Sequence, residues 1–192
     1  MTQISFLTGQ LILLGGWLLY RLAAFWKNKR IDWKNELRQI FFLINLLVIL
    51  RFTFYPFSKV DGKVQPLIFD AAAVLPLRVN LVPFRLLTDY ESKRDMLINI
   101  IGNFAMFIPT GVMVPLIYKS RNTLLRAVGV GVLLSLIIEL IQLPFAVRAS
   151  DIDDLILNTA GCLLGYGLYA IARTICRAIC RRRTQSAQSA PV

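Results

Sequence analysis

The stretch ISFLTGQLILLGGWLLYRLAAFW, from Ile4 to Trp26, carries a single charged side chain, Arg21. A helix needs about 20 predominantly apolar residues to cross a bilayer core of roughly 30 Å. Trp17 and Tyr20 lie toward one end, where aromatic rings favour the headgroup region, and Arg21 can extend its charge to the same level. The stretch therefore predicts a transmembrane helix.

The rest of the chain has the same character. Its 192 residues are enough for one domain. Hydrophobic residues make up 56% and charged residues 17%, and the mean hydropathy is +0.60, which indicates an integral membrane protein. We predict an all-α bundle of five transmembrane helices, at about Ile4–Trp26, Arg38–Phe57, Met96–Tyr118, Leu124–Ala146 and Leu155–Ile175.

Two functional classes are excluded by composition. The net charge of +11 does not indicate a nucleic-acid partner, because the basic residues flank the apolar spans and aromatic residues are not interleaved with them. The chain has no histidine, which excludes His-based zinc sites and Ser/His or Cys/His catalysis. Its three cysteines, Cys162, Cys176 and Cys180, form no C-x-x-C motif and are expected to be small packing residues.

The short connections predict the orientation. Basic residues crowd the first connection, the third connection and the C-terminal tail, whereas the N-terminus is uncharged and the fourth connection is acidic. The positive-inside rule then places the N-terminus outside and the C-terminus inside. The one long connection, 58–95, contains the proline-broken apolar run QPLIFDAAAVLPLRVNLVPF and is expected to lie on the outer face.

These patterns divide the chain into three parts. Residues 1–37 hold the first transmembrane helix and a basic cytoplasmic loop, and residues 38–175 form the main transmembrane domain. Residues 176–192 form a basic cytoplasmic tail that is expected to be disordered.

Polar residues share one face on each of three predicted helices. In the third span Asn99 and Asn103 are four residues apart, and in the fourth a stripe contains Ser135, Glu139 and Gln142. The fifth carries Asp151, Asp154 and Asn158, followed on the same face by Gly161 and Gly165 of a G-x-x-x-G packing motif. Asp153 is expected to be a solvated charge at the headgroup level.

The predicted depths also coincide. At 1.5 Å per residue, Glu139 lies about 9 Å and Asn103 roughly 10 Å below the outer surface, with Asn158 and Arg51 at a comparable or shallower level. Because polar groups in a membrane face inward and find partners, we predict one outward-open polar pocket walled by spans two to five. Arg51 and Arg148 are the candidate cations for the buried carboxylate of Glu139.

Four ordered motifs resemble the VanZ-like family over residues 80–169. They are NLVPF (Asn80–Phe84), NIIGNFAMFIPTGVMVPL (Asn99–Leu116), LLSLIIELIQ (Leu133–Gln142) and RASDIDDLILNTAGCLLGYGLY (Arg148–Tyr169). The resemblance implies a multi-pass protein of the bacterial plasma membrane. It also implies a role like that of the namesake, which lowers susceptibility to teicoplanin far more than to vancomycin.

The resemblance also selects residues. It adds Asn80 to the candidate ligand-binding set and includes Asn103, Glu139, Asp151 and Asn158 among the motif positions. Pro109, also a motif position, removes one backbone hydrogen bond in mid-span, so we expect it to kink the helix and widen the outer half of the bundle. Thr110 departs from the pattern, since a bulkier apolar residue often follows the proline.

Three functions remain open at this stage. The first is binding of a lipid-linked wall precursor or an acylated glycopeptide at the polar pocket. The second is an enzyme for lipid-linked substrates, in which Glu139, Asp151 and Asp154 hold Mg²⁺ or Mn²⁺, although no complete set of reacting groups is visible. The third is an ion-coupled transporter using Glu139, which the absence of an internal repeat disfavours. Oligomerisation is compatible with each of them.

Overall fold

The structure is a computed structural model that describes residues 2–55, 59–60, 62–74, 79–84, 92–118, 123–145 and 150–188. Within these residues the body of the molecule consists of five helices, all long and apolar enough to cross a membrane. The predicted all-α bundle of five spans is therefore confirmed. The helices are α1 (Phe6–Asn28), α2 (Trp33–Phe54), α3 (Lys93–Ile117), α4 (Thr123–Gln142) and α5 (Ile152–Gln188).

The helix ends follow local chemistry. The Ser5 hydroxyl caps α1 by accepting the Thr8 backbone N–H at 3.1 Å, and the Asp32 carboxylate caps α2 in the same way. α4 ends at Gln142, before the predicted Ala146. Pro144 explains the difference, because proline disfavours helical backbone in the residue before it.

The C-terminal segment differs from the prediction of a disordered tail. α5 continues past residue 175 and ends only at Gln188. The sequence between these points contains no glycine or proline and is rich in arginine and alanine, which are good helix formers. The low hydrophobicity of the tail therefore does not prevent it from continuing the helix.

Short strands at one end of the bundle were not predicted. β1 (Thr2–Ile4) pairs antiparallel with β4 (Leu67–Phe69), and β2 (Lys59–Val60) pairs with β3 (Lys63–Val64). β5 (Val79–Asn80) pairs in parallel with β6 (Ser150–Asp151), and a 3₁₀ helix at Ala71–Val74 follows β4. These strands are two or three residues long, too short for a period-two pattern in the sequence. They place the N-terminus and the second and fourth connections at the same end of the bundle.

α1 is the least integrated helix. None of its residues is buried. Its first turn is attached through the buried Tyr55, whose hydroxyl donates to the Ser5 carbonyl at 3.0 Å and whose ring packs edge-on against Phe6. Burial raises the pKa of this tyrosine. At the other end Arg21 forms an ion pair with Glu36 of α2.

The tightest packing lies between α3 and α5. A Cβ atom built on Gly161 would meet the Phe104 carbonyl, and one built on Gly165 would meet the Ile108 carbonyl, both well inside 3.0 Å. Gly111 of α3 lies equally close to the α5 backbone at Cys162. Small residues at these positions let the two backbones approach closely. The close contact brings the polar faces of α3 and α5 together.

Candidate functional site

The polar site begins where β6 leads into α5. The Asp151 backbone N–H donates to Glu139 Oε2 of α4 at 2.9 Å. The Asp151 carboxylate then accepts the Asp153 backbone N–H at 2.9 Å, which closes a local turn at the helix start. α4 and α5 are thus joined at this end through a buried carboxylate.

The segment 79–84 covers the start of α5. Asn80 Nδ2 donates to Asp151 Oδ2 at 3.1 Å, and Asn80 Oδ1 accepts the Val82 N–H at 3.2 Å. The Phe84 backbone N–H donates to Asp153 Oδ1 at 2.6 Å. Phe84 has a positive φ of 65°, yet its side chain is 64% exposed. The residue is held by its backbone and presents its ring to the surroundings.

Asp153 therefore differs from the expectation of a solvated charge. Its side chain is buried, with 6% of its surface exposed. The reason is the hydrogen bond with Phe84, which places the segment 79–84 over the carboxylate. Sequence reasoning missed Asp153 and Phe84 as a pair because their contact depends on the parallel pairing of β5 with β6.

A second cluster joins α3 to α5. Asn103 Nδ2 donates to Asp154 Oδ1 at 2.5 Å and also lies 3.4 Å from Asn99 Oδ1. Asp154 is close enough to Glu139 and Asp151 to interact with both electrostatically. The structure therefore brings carboxylates and amides from three helices together at one end of the bundle.

Glu139 is the least satisfied member of this group. Its side chain is 6% exposed. The Ser150 hydroxyl lies close enough to stabilise the carboxylate, but Oε1 accepts no hydrogen bond of normal geometry from the described residues. On the same helix, Gln142 donates to the Thr53 carbonyl at 2.8 Å, but its Oε1 atom likewise lacks a donor there. Leaving a buried polar atom without a partner costs about 1–3 kcal/mol, so each of these oxygens can accept a donor from a ligand.

Two other amides act between helices at deeper levels. Asn158 is 1% exposed and donates to the Ser135 hydroxyl at 2.9 Å. Asn45 of α2 donates to the Met106 carbonyl at 2.9 Å and accepts from the Thr110 hydroxyl at 2.7 Å. Thr110, which departs from the family pattern, is thus a buried hydrogen-bond donor in this chain.

The observed helix ends change the predicted depths. Glu139 lies three residues from the end of α4, or about 4.5 Å rather than 9 Å. Ser135 lies one turn further from that end, so its partner Asn158 is deeper than Glu139 and not shallower. The difference arises because α4 ends at Gln142 and α5 begins at Ile152, not at Leu155.

The expected cation for Glu139 is not found at Arg51. Arg51 donates to the Tyr55 carbonyl at 3.1 Å, and its guanidinium lies over the rings of Phe6 and Phe52. The part of the chain that the structure describes contains one ion pair, between Arg21 and Glu36. Arg51 lies within one turn of the end of α2, and its contact with Phe6 is a contact with α1. The second candidate, Arg148, lies outside the described residues.

The proposed metal ligands do not form a ready cation site. Among the described residues, no three Asp, Glu or Cys side chains are arranged to hold a metal ion. Glu139 uses one oxygen for the Asp151 N–H, and Asp151 uses both of its oxygens within the chain. A divalent cation at Glu139, Asp151 and Asp154 stays a prediction.

A groove borders the α3 cluster. It has a volume of about 870 Å³ and runs beside α3, with Phe52 of α2 on one wall and Asn99 and Asn103 in its lining. Pro109 lies in a narrower groove of about 380 Å³ further along the same two helices, and α3 continues through Pro109 as one helix. The kink predicted at Pro109 stays a prediction.

Comparison with known proteins places these residues in a family. Residues 42–173 match the family described as VanZ/LLP1. The chain is 39% identical over 94 residues to "Protein VanZ" of Enterococcus faecium, a match that covers 49% of this chain and 53% of the relative. The match thus spans about half the length of that relative.

No solved structure matches the chain. The family match includes α2 and so extends beyond the resemblance over residues 80–169. It contains every polar residue of the site described above. The chain belongs to the VanZ/LLP1 family.

Proposed function

We propose that this protein lowers the susceptibility of a bacterial cell to glycopeptide antibiotics, acting more on the acylated teicoplanin type than on vancomycin. It does so by binding an amphiphilic ligand of the outer leaflet, either a lipid-linked wall precursor or the acylated antibiotic. The polar end of the ligand meets the carboxylates and amides at the start of α5. Its location is the plasma membrane, with this end of the bundle outside.

The observation that carries the proposal is the convergence of Glu139, Asp151, Asp154 and Asn103 at one end of the bundle, together with the undonated Oε1 of Glu139. A buried carboxylate that forms no ion pair with the described residues is expensive in a membrane protein, and such residues usually serve a ligand. Amide and amine groups are the donors that these acceptors suit. Family membership also supports the proposed role in resistance, because a relative carries the name of the resistance factor.

The site lies within reach of both water and lipid. Glu139 is within one turn of the end of α4, and the adjacent groove has mostly apolar walls with two asparagines. A ligand with a polar head and a hydrocarbon tail fits this combination, since each part meets a surface of its own polarity. This arrangement would distinguish an acylated glycopeptide from one without the acyl chain.

The test is drug susceptibility in a glycopeptide-sensitive Gram-positive host that expresses this protein alone. We expect the inhibitory concentration of teicoplanin to rise more than that of vancomycin. Asp154→Asn and Glu139→Gln keep the size and an acceptor oxygen but remove the charge, so we expect the rise to be lost in both. Asp70→Asn is the matched control, because its acceptor role toward the Ala72 N–H is retained outside the site.

Membrane levels of each variant are measured by immunoblotting. If the wild-type protein is present in the membrane and neither inhibitory concentration changes, the proposed function is wrong. If the inhibitory concentration of teicoplanin rises and both site variants retain this rise, the effect depends on another part of the molecule and the assigned site is wrong.

A further inference from the structure

The seam between α2 and α3 carries a feature that the carboxylate cluster does not use. The 870 Å³ groove follows α3 with Phe52 of α2 on its wall, the 380 Å³ groove lies between α2 and α3, and the two share the lining residues Ala105 and Met106. We call the pair the seam groove. Its walls are mainly apolar, formed by residues such as Leu97, Ile101 and Val48.

The seam groove is long. It extends along α3 from Lys93 at one end to Met113 at the other. At 1.5 Å per residue this distance is about 30 Å, the full thickness of a bilayer hydrocarbon core. An acyl chain of an ordinary phospholipid occupies only one leaflet, about half of this length. A hydrocarbon chain that fills the groove must be longer than one leaflet.

The wide end of the groove is basic. Lys93 and Arg94, in the first turn of α3, line it and are both exposed. Neither forms an ion pair or hydrogen bond with another described side chain. Cations are disfavoured at a helix N-terminus by the helix dipole, so helix stability does not account for them there. Together with the N-terminal backbone amides they suit a phosphate group.

Asn99 lies about one and a half turns further along α3. Its Oδ1 faces Asn103, while its amide NH₂ donates no hydrogen bond to the described residues. It lines the groove between the basic end and the apolar walls. A polar donor at this level can serve the ester oxygen that joins a phosphate group to its hydrocarbon chain.

We propose that the seam groove binds a lipid phosphate whose hydrocarbon chain is longer than one leaflet, of the polyprenyl phosphate class. The phosphate lies at Lys93 and Arg94, with Asn99 beneath it, and the chain follows the seam past Ala105 toward Met113. This inference deepens the proposed function, on which it rests for its biological role. It brings the headgroup of the lipid next to Asn103, which bonds to Asp154 of the carboxylate cluster.

The experiment measures lipid binding to the full chain in nanodiscs of neutral phosphatidylcholine. Three probes are added separately: a 55-carbon polyprenyl phosphate, the matching polyprenol without phosphate, and phosphatidylglycerol, which is anionic but has short chains. Native mass spectrometry counts bound lipid. We expect the polyprenyl phosphate to bind about tenfold or more tightly than either comparison lipid, since it alone combines the charge-assisted bonds with the long chain.

Two variants locate the binding. Gly102 lines the groove, and a Cβ atom built on it meets no neighbour within 4 Å, so Gly102→Leu is the variant that places a side chain in the groove. Its control is Gly129→Leu on α4, which also meets open space but is outside the groove. Lys93→Gln with Arg94→Gln should weaken the phosphate form and leave the polyprenol unchanged.

Each outcome decides. Equal binding of all three probes, or binding unaffected by Gly102→Leu, means that only surrounding bilayer lipid is detected and overturns the inference. If phosphatidylglycerol binds as tightly as the polyprenyl phosphate, the inference that the groove requires a chain longer than one leaflet is overturned. Specific binding without any change in drug susceptibility supports the inference and refutes the proposed function. A change in drug susceptibility without specific lipid binding supports the proposed function and refutes the inference.

Discussion

Replacing Gly165 of α5 by alanine tests the close contact on which the site depends. A methyl group at this position would lie well inside 3.0 Å of the Ile108 carbonyl and 3.1 Å from the Gly111 Cα atom. These neighbouring atoms belong to the backbone and cannot rotate away, so α3 and α5 must separate. Overpacking of this kind typically costs about 1–3 kcal/mol.

The same helix offers a matched control at Gly167, where a Cβ atom meets no neighbour within 4 Å. Alanine is the better helix former by about 0.8–1.0 kcal/mol, so Gly167→Ala should be neutral or stabilising. The free energy of unfolding would be measured in mixed detergent micelles by circular dichroism. If Gly165→Ala is as stable as Gly167→Ala, the close approach of α3 and α5 is wrong.

The separation should also affect the site. Asn103 bonds to Asp154 across the same two helices, and this contact lies two turns closer to the start of α5 than Gly161. Any increase in the distance between the helices lengthens it. We therefore expect Gly165→Ala to reduce the teicoplanin effect beyond what its lower membrane level explains.

Three further predictions concern the exposed ring of Phe84, the binding of metal ions and the orientation in the membrane. Phe84→Gly should leave the free energy of unfolding unchanged or raise it by about 1 kcal/mol, because glycine tolerates the positive φ. If the ring contacts the ligand, drug susceptibility changes while the free energy of unfolding does not. A large loss of stability would contradict the exposed position of the ring. The melting temperature should not change when Mg²⁺, Mn²⁺ or a chelator is added, because the described acidic residues form no three-ligand group. A rise in the melting temperature with Mn²⁺ that Asp154→Asn removes would establish a metal site. Green fluorescent protein fused to the C-terminus should fluoresce and alkaline phosphatase fused there should be inactive, whereas the opposite pair of results would reverse the predicted orientation.

The spans were predictable because each needs only length and composition. The helix ends were less predictable, although Pro144 indicates that α4 ends early. Spacing on one face grouped Asn103 with Asn99, whose side chains lie 3.4 Å apart, and Glu139 with Gln142, which are both buried. It could not pair residues on different helices, and it therefore left both Arg51 and Arg148 open as candidate partners of Glu139.

The strand contacts could not be read from the sequence. The Asn80–Asp151 pair joins residues 71 positions apart through strands of two residues each, and neither strand has a pattern of its own. Asp153 appeared to be an ordinary acidic residue at a helix start. Its burial follows only from the segment 79–84 lying over it.

The partners at the start of α5 also determine when the site can form. Asn80, Asn103 and Glu139 each bond to a group at positions 151–154, which leaves the ribosome after the first four helices have been made. Until then these amides and this carboxylate must remain hydrated near the membrane surface or lie unpaired among lipid. A nascent chain interrupted before residue 150 would lack all three of these hydrogen bonds, so the site can assemble only once the start of α5 has been made.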